Sequence, residues 1–475
     1  MNIDDSNMIL NSKLTNRGYI VNKNDLTFKQ IQKIKKDLIV RPFVMKDYPQ
    51  ANPYTIYLES TKKFYLPRYY GIELFGSPKI IDINEGDNIN IKFTGALRPV
   101  QIIAKEAYIN SLTNNYGGGV LCLPCGFGKS VLALDIISEL KKKTLIVVHK
   151  EFLANQWIDR INQYLPNTRV GKIQGKVLDI NDKDICVGML QTLSLKEFDK
   201  DIFKSFGLII FDEVHHLASE VFSRTLLKVN FKYTMGLSAT PDRADGLTRV
   251  FLYYLGNIVY RHIKDKKNSF NLIVKHIKYI SDDENYNKVE LSSMGKICSP
   301  RMINNVVQYN NRLELIVNIL HNLALDKDKN IILLSDRRDH LKQIYNLLNK
   351  DIKVDYYIGG MKQNLLDKTA LEAQIILSTY CMCSEALDIQ KLNCLVLASP
   401  KVNVEQAVGR ILRQKHNINP LVIDIEDDFS IFKNQYKKRL KYYKSNNYII
   451  DNVEIDVNNN ENDNNILLNN FLQTN

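Results

Sequence analysis

Short apolar runs separated by stretches of helical period fill most of the chain. Residues 120–123 form one such run; a glycine-bearing turn follows, and the apolar spacing over 130–140 is that of a helix. Lys141, Lys142 and Lys143 close that helix, where cations suit the dipole. The run 145–148, a helix through Trp157, and the runs 185–189, 208–211 and 235–239 continue the alternation. A second segment repeats it, with strands expected at 331–334, 354–358, 375–378, 395–398 and 421–425. Continuous apolar runs between helices predict parallel strands covered on both faces, so the fold class is α/β, in two units.

The remaining stretches set the expected boundaries. Residues 1–90, rich in tyrosine, make a small N-terminal accessory domain, and 91–260 make the first α/β unit. Residues 261–304, richer in Lys, Asp and Ser, read as a connecting segment, and 305–450 as the second unit. The Asn-dominated stretch 451–475 reads as a disordered tail. Tyr54, Tyr57, Phe64, Tyr65, Tyr69 and Tyr70, interleaved with Lys62, Lys63 and Arg68, fit a small β-rich core better than a base-stacking platform.

Composition narrows the function classes. The 475 residues carry 64 Lys+Arg against 52 Asp+Glu, a net charge of +12 that favours a polyanionic partner, nucleic acid above all. No run approaches the roughly 18 apolar residues of a membrane span, and the polar start lacks an export signal, so a soluble intracellular protein is expected. Seven cysteines, mostly in apolar surroundings, suit a reduced compartment. Cys122 and Cys125 have zinc spacing, but no second Cys/His pair completes a site. The abundance of Asn, Ile and Lys suits A/T-rich coding.

Chemistry enters at Leu123-Pro124-Cys125-Gly126-Phe127-Gly128-Lys129-Ser130, where a strand gives way to a helix. Glycines admit phosphate oxygens to the backbone, and a helix start offers free N–H groups. Lys129 would reach the β- and γ-phosphates of ATP, and Ser130 would bind Mg2+. A Gly-rich turn with an incidental lysine would share the pattern, and Leu123 stands where the P-loop motif has glycine. Asp212 and Glu213 follow the run 208–211, the end of a strand where α/β sheets bind ligands. There Asp212 would hold Mg2+ and Glu213 would orient the attacking water. In the second unit, 403–415 reads as a helix that puts Gln406, Arg410 and Arg413 on one face, suited to γ-phosphate charge; a solvated basic helix reads the same way.

Together these residues resemble the superfamily-2 helicases and translocases. Arg98 and Gln101 resemble the adenine-side motif, 123–130 the P-C-G-x-G-K-S/T variant of motif I, and 212–215 a DEVH form of motif II. Ser238-Ala239-Thr240 resembles motif III, Ser384 to Ile389 motif V, and Gln406 to Arg413 motif VI. The run through Pro241, Arg243 and Asp245 is similar to the group with the poxvirus transcript-release helicase and the transcription/repair factor helicase subunit. Large DNA viruses encode proteins of this kind. Motif V departs from the family at Ala386, where glycine is usual.

The resemblance implies two tandem RecA-like domains with ATP and Mg2+ between them. Asp388 and Gln406 join the ATP-binding residues; His215, Ser238 and Thr240 link hydrolysis to movement. It also implies nucleic-acid contacts at Lys150, Lys172, Thr192 and Arg337, DNA ahead of RNA, 3′→5′ movement, and a setting in transcription or recombination. Transcription machinery would be a partner, and a viral protein would act in the host cytoplasm or the virion. A duplex translocase that displaces bound molecules without separating strands, or an ATP-binding scaffold subunit, are the competing functions.

Overall fold

The structure, a computed structural model, describes residues 11–43, 51–114, 116–124, 126–199, 201–243, 245–262, 271–348, 352–385, 387, 389–414, 416–458 and 461–473. Two compact units divide the chain, Met1–Ile263 and Lys264–Asn475.

The first unit opens with a small five-stranded sheet in the order Leu58–Glu59, Lys63–Leu66, Gly18–Asn22, Lys13–Thr15, Ile80–Asp82. Its helix, Phe28–Leu38, starts on a reciprocal Thr27/Gln30 capping box and buries Ile34 and Leu38. Tyr54, Tyr57, Phe64, Tyr69 and Tyr70 are buried, so these aromatics are core. Buried polar side chains fasten this piece to the rest of the unit. Arg68 is fully buried and donates to the carbonyls of Tyr116 and Lys232 at 3.0 Å each, and to that of Phe231. Tyr254 donates its hydroxyl to the Ile56 carbonyl.

The main sheet of this unit has eight strands, ordered Val177–Leu178, Val170–Gln174, Ile185–Met189, Thr144–Val148, Leu208–Asp212, Tyr233–Ser238, Gly118–Cys122, Ile258–Arg261. All pairings are parallel except the first. The central strands are apolar on both faces because helices cover both, as the continuous runs predict.

The second unit holds a seven-stranded parallel sheet: Val354–Tyr357, Ile375–Thr379, Ile331–Ser335, Cys394–Leu397, Leu421–Asp427, Ile273–Ile280, Ile449–Asp456. Two parallel-sheet α/β domains of RecA-like type are thus present. No helix among the described residues is long and apolar enough to cross a membrane.

Three expectations need correction. The stretch 261–304 is no mere connector: Ile273–Ile280 is an inner strand of the second sheet, and Ser299–Gln308 is a helix. Its lysines hid a strand in which Val274, Lys275, His276 and Ile277 are all buried. The expected disordered tail contributes the strand Ile449–Asp456 and the helix Glu461–Gln473. Leu468 and Leu472, one turn apart, are buried in the core, and asparagines bridge to the helix Asn310–Ala324. Asn318 donates to Asn465 at 3.4 Å and Asn322 to Asn469 at 2.9 Å. Finally, the helix expected at 403–415 covers only Glu405–Val408. Beyond it the Arg410 and Ile411 amides bond to Ala407 and Val408, three residues back, so the chain tightens into turns. Gln406, Arg410 and Arg413 therefore do not share one face of a regular helix.

Candidate nucleotide site

The strand Gly118–Cys122 delivers the phosphate loop and the helix Lys129–Leu140 leaves it. Gly128 caps that helix at φ +80°, a conformation that favours glycine, and a Cβ there would lie 2.6 Å from Gln101 Nε2 and push that side chain aside. The Leu123 amide bonds to the Ser238 carbonyl at 2.8 Å, tying the loop to the neighbouring strand. Arg98 and Gln101 brace the loop from outside. Gln101 Nε2 donates to the carbonyls of Phe127 (3.0 Å) and Gly128 (3.3 Å), and Arg98 donates to those of Gly126 (3.3 Å) and Phe127. Cys125 lies outside the described residues, while Pro124 and Phe127 lie in the loop and Ser130 in the first turn of the helix.

Two carboxylates end the strand Leu208–Asp212, and Lys129 Nζ meets Glu213 Oε1 at 2.5 Å. Glu213 adopts the left-handed conformation (φ +52°, ψ +59°), which for a non-glycine residue costs on the order of 1 kcal/mol or more and clusters at functional sites. Its second oxygen, Oε2, is buried with no hydrogen-bond donor among the described residues, 3.5 Å from His215 Nδ1. Burial pushes the Glu213 carboxyl up, but the charge and hydrogen bond of Lys129 outweigh it and hold the group below its ordinary range. Asp212 goes the other way: burial raises it, the Glu213 charge adds, and Lys129 and Trp157 oppose.

The helix Glu151–Tyr164 supplies two residues that sequence reasoning missed. Trp157 Nε1 donates to Asp212 Oδ2 at 2.9 Å, and Arg160 donates to the Ser130 hydroxyl. Their i, i+3 spacing and the chain's single tryptophan were the available signals.

His215 links the carboxylate pair to the next strand, with Nδ1 3.2 Å from Ser238 Oγ, which also accepts from the Thr240 amide at 3.2 Å. Burial lowers the His215 pKa, with Glu213 opposing, so the ring is neutral near pH 7. Arg243, ion-paired with Asp245, donates to the His215 carbonyl. In the first unit Arg98 and Gln101 thus hold the loop carbonyls, Lys129, Glu213, His215, Ser238 and Thr240 form one chain of contacts, and Ser130 and Asp212 meet the helix Glu151–Tyr164.

The other expected residues fall elsewhere. Arg410, Arg413 and Gln406 belong to the second unit; Arg410 is buried and donates from Nε to the Cys383 carbonyl at 2.6 Å. Asp388 and Ala386 lie outside the described residues. Of the nucleic-acid candidates, Lys150 precedes the helix Glu151–Tyr164, and Lys172 pairs with Glu151 at 3.6 Å. The Thr192 hydroxyl accepts from the Gly175 amide at 2.9 Å, and Arg337 donates to Asn304 (2.5 Å) and to the Pro300 carbonyl (2.8 Å).

Comparisons with known proteins agree with this architecture. The family of the type III restriction enzyme res subunit matches residues 94–243, and the helicase conserved C-terminal domain matches 311–415. A protein of Acanthamoeba polyphaga mimivirus named as an ATP-dependent RNA helicase is 37% identical over 93% of this chain and 86% of its own length. One of African swine fever virus, named likewise, is 29% identical over 71% of this chain and 70% of its own. The yeast Dbp5 structure with RNA and ADP BeF3 shares the fold, with a TM-score of 0.52 at 11% identity, over 80% of this chain and 98% of Dbp5. The chain belongs to the superfamily-2 helicases, ATP-hydrolysing enzymes that depend on nucleic acid, and groups with relatives encoded by large DNA viruses.

Proposed function

We propose that the chain couples ATP hydrolysis to movement along a nucleic-acid strand, with Lys129 and Glu213 as the centre of the ATPase. The observation that carries this is the strained, partly buried Glu213, paired to the phosphate-loop lysine and keeping Oε2 open to a hydrogen-bond donor. The β- and γ-phosphates of ATP compete with Glu213 for Lys129. As Lys129 turns to them, Glu213 Oε1 is released, and the carboxylate orients and deprotonates the attacking water. The Gly126–Gly128 backbone cradles the phosphates at the start of the helix.

The Ser130 hydroxyl and Asp212 carboxylate are hard oxygen donors that fit Mg2+, and Arg160 would give up the Ser130 hydroxyl on its binding. Mg2+ there would neutralise phosphate charge. Arg410 and Arg413 act as the arginine fingers, with Gln406 and Asp388 on the nucleotide. His215, Ser238 and Thr240 transmit the state of Glu213 to the end of the strand Tyr233–Ser238. Lys150, Lys172, Thr192 and Arg337 are the proposed contacts to the strand.

The motif resemblance favours a DNA track in viral transcription or recombination, whereas the mimivirus and African swine fever virus relatives are named as RNA helicases. One experiment addresses both. Steady-state ATPase activity is measured without polymer and with single-stranded DNA, duplex DNA or RNA, for the wild type and Glu213→Gln. Stimulation of about tenfold or more by one polymer, lost in Glu213→Gln, is expected, since such positioning acts on the hydrolytic step itself. A flat, Glu213-independent rate with every polymer would overturn the reading. Strand displacement on naked duplex then separates a helicase from a duplex translocase.

A further inference from the structure

The loop that carries the chain from the strand Cys394–Leu397 into Gln406–Arg413 is gripped by buried side chains. Arg312, on the helix Asn310–Ala324, is fully buried, forks onto Asp427 through Nε and Nη2 (2.6 and 3.1 Å), and donates from Nη1 to the Ala398 carbonyl at 2.7 Å. Arg439, on the helix Ser430–Ser445, is 3% exposed. It forks onto Asp424 (2.8 Å to each oxygen) and donates to the Lys401 carbonyl at 2.6 Å. Between them, Tyr380 donates its hydroxyl to the Ser399 carbonyl at 2.8 Å. Lys401 Nζ meets Asp336 at 3.1 Å, and the Asp336 amide bonds to Ser399 Oγ at 2.9 Å.

Both acids sit on the strand Leu421–Asp427, three residues apart, so their side chains leave opposite faces of the sheet. Each acid has a second buried donor, Tyr286 to Asp427 at 2.5 Å and Tyr443 to Asp424 at 2.8 Å. The loop is therefore held from both faces at once. Stability alone does not explain the arrangement: burying two ion pairs carries a desolvation penalty that apolar packing of the same volume avoids. What the arginines add is direction. A guanidinium fixed by a bidentate carboxylate can aim its other terminal nitrogen at one point in space. Here they aim at the backbone carbonyls of Ala398 and Lys401, on the loop that leads into Gln406–Arg413.

We propose that Arg312, Arg439 and Tyr380 are positioning residues for the ATPase, fixing the 398–401 loop so that Arg410 and Arg413 reach the γ-phosphate in register. This rests on the finger role given to Arg410 and Arg413 above. Neither Arg439 nor its helix lies within the matched helicase domain, which ends at residue 415.

The test is a cycle on the full-length chain. Asp424→Leu/Arg439→Met removes the pair and the bond to Lys401 while keeping the volume filled. Nucleic-acid-stimulated kcat is expected to fall tenfold or more, with KM for ATP and affinity for the polymer unchanged and the melting temperature retained. Combined with Arg410→Ala, the further loss should be far less than multiplicative, since both changes disable the same group. A folded pair variant with kcat within twofold of wild type overturns the proposal, as does a fully multiplicative loss. If Arg410→Ala itself leaves kcat intact, the finger role fails, and the proposal with it. Should the pair variant not fold, Tyr380→Phe, which deletes only the hydroxyl on Ser399, must still lower kcat several-fold without changing KM.

Discussion

At the scale of single residues, the site works by competition for a few donors. Asp212 is held by Trp157, Glu213 by Lys129, and Ser238 Oγ accepts from the Thr240 amide while meeting His215 Nδ1. Trp157→Phe keeps an aromatic ring but removes the pyrrole half of the indole and with it the N–H on Asp212. A hydrogen bond to a charged group is worth about 1.5–3 kcal/mol, so kcat, assayed below the variant's lowered melting temperature, should drop by about tenfold or more. Equal kcat in the two proteins would make Trp157 a packing residue only. A second residue sets an acid limit. Burial, with the Arg312 charge adding, pushes the His340 imidazole from its ordinary 6.5 down to about 3. The unfolded chain takes up that proton near pH 6.5 and the folded chain refuses it, so this contribution is intact above pH 6.5. It is lost as pH falls toward 3, at about 1.4 kcal/mol per pH unit. Denaturant titrations of His340→Gln between pH 7 and pH 4.5 should show a shallower acid limb; an unchanged slope would count against it.

At the scale of elements, legibility followed burial. The central strands were readable because continuous apolar runs such as Ile185–Met189 and Ile331–Ser335 leave no other reading between helices. Ile273–Ile280 and Ile449–Asp456 were not, because each mixes charged residues into its alternation. Lys275 there is buried and bonded to the Phe471 carbonyl, a partner nearly two hundred residues away that no local pattern reveals. The closing helix was masked by its asparagines, which look like disorder in composition but meet asparagines on Asn310–Ala324. Likewise the phosphate loop and the carboxylate pair were legible as motifs. Trp157, Arg160 and Arg439 were not, since their roles depend on packing alone. The closing helix offers a direct check. Removing buried Leu methyls costs about 2–5 kcal/mol per Leu→Ala change, so Leu468→Ala and Leu472→Ala should each destabilise the second unit by that order. A disordered tail would show no change in either variant's denaturation midpoint.

At the scale of the whole molecule, the net charge of +12 has to be put somewhere, and one helix displays it openly. Ser430–Ser445 buries Phe432, Tyr436, Arg439 and Tyr443 and exposes Lys433, Lys437, Lys438, Lys441 and Lys444. Arg439 stands among these cations in the sequence, but its pairing with Asp424 takes it out of the exposed set. Lys433 is also occupied, by Asp428 at 3.1 Å. If the other lysines track the phosphates of a single strand, each neutralised phosphate releases a counterion and contributes about −0.7 to the slope of log affinity against log salt. Lys437→Gln/Lys438→Gln/Lys441→Gln should then reduce that slope by about 2 and weaken polymers of every sequence alike. The ATPase without polymer should be untouched, because these side chains lie on the solvent side of a helix whose other face does the packing. An unchanged salt slope would assign them to solubility, and the polyanion contacts would have to be sought at Lys150, Lys172 and Arg337. Because binding and turnover are read separately, the same titration distinguishes a lost track from a damaged motor.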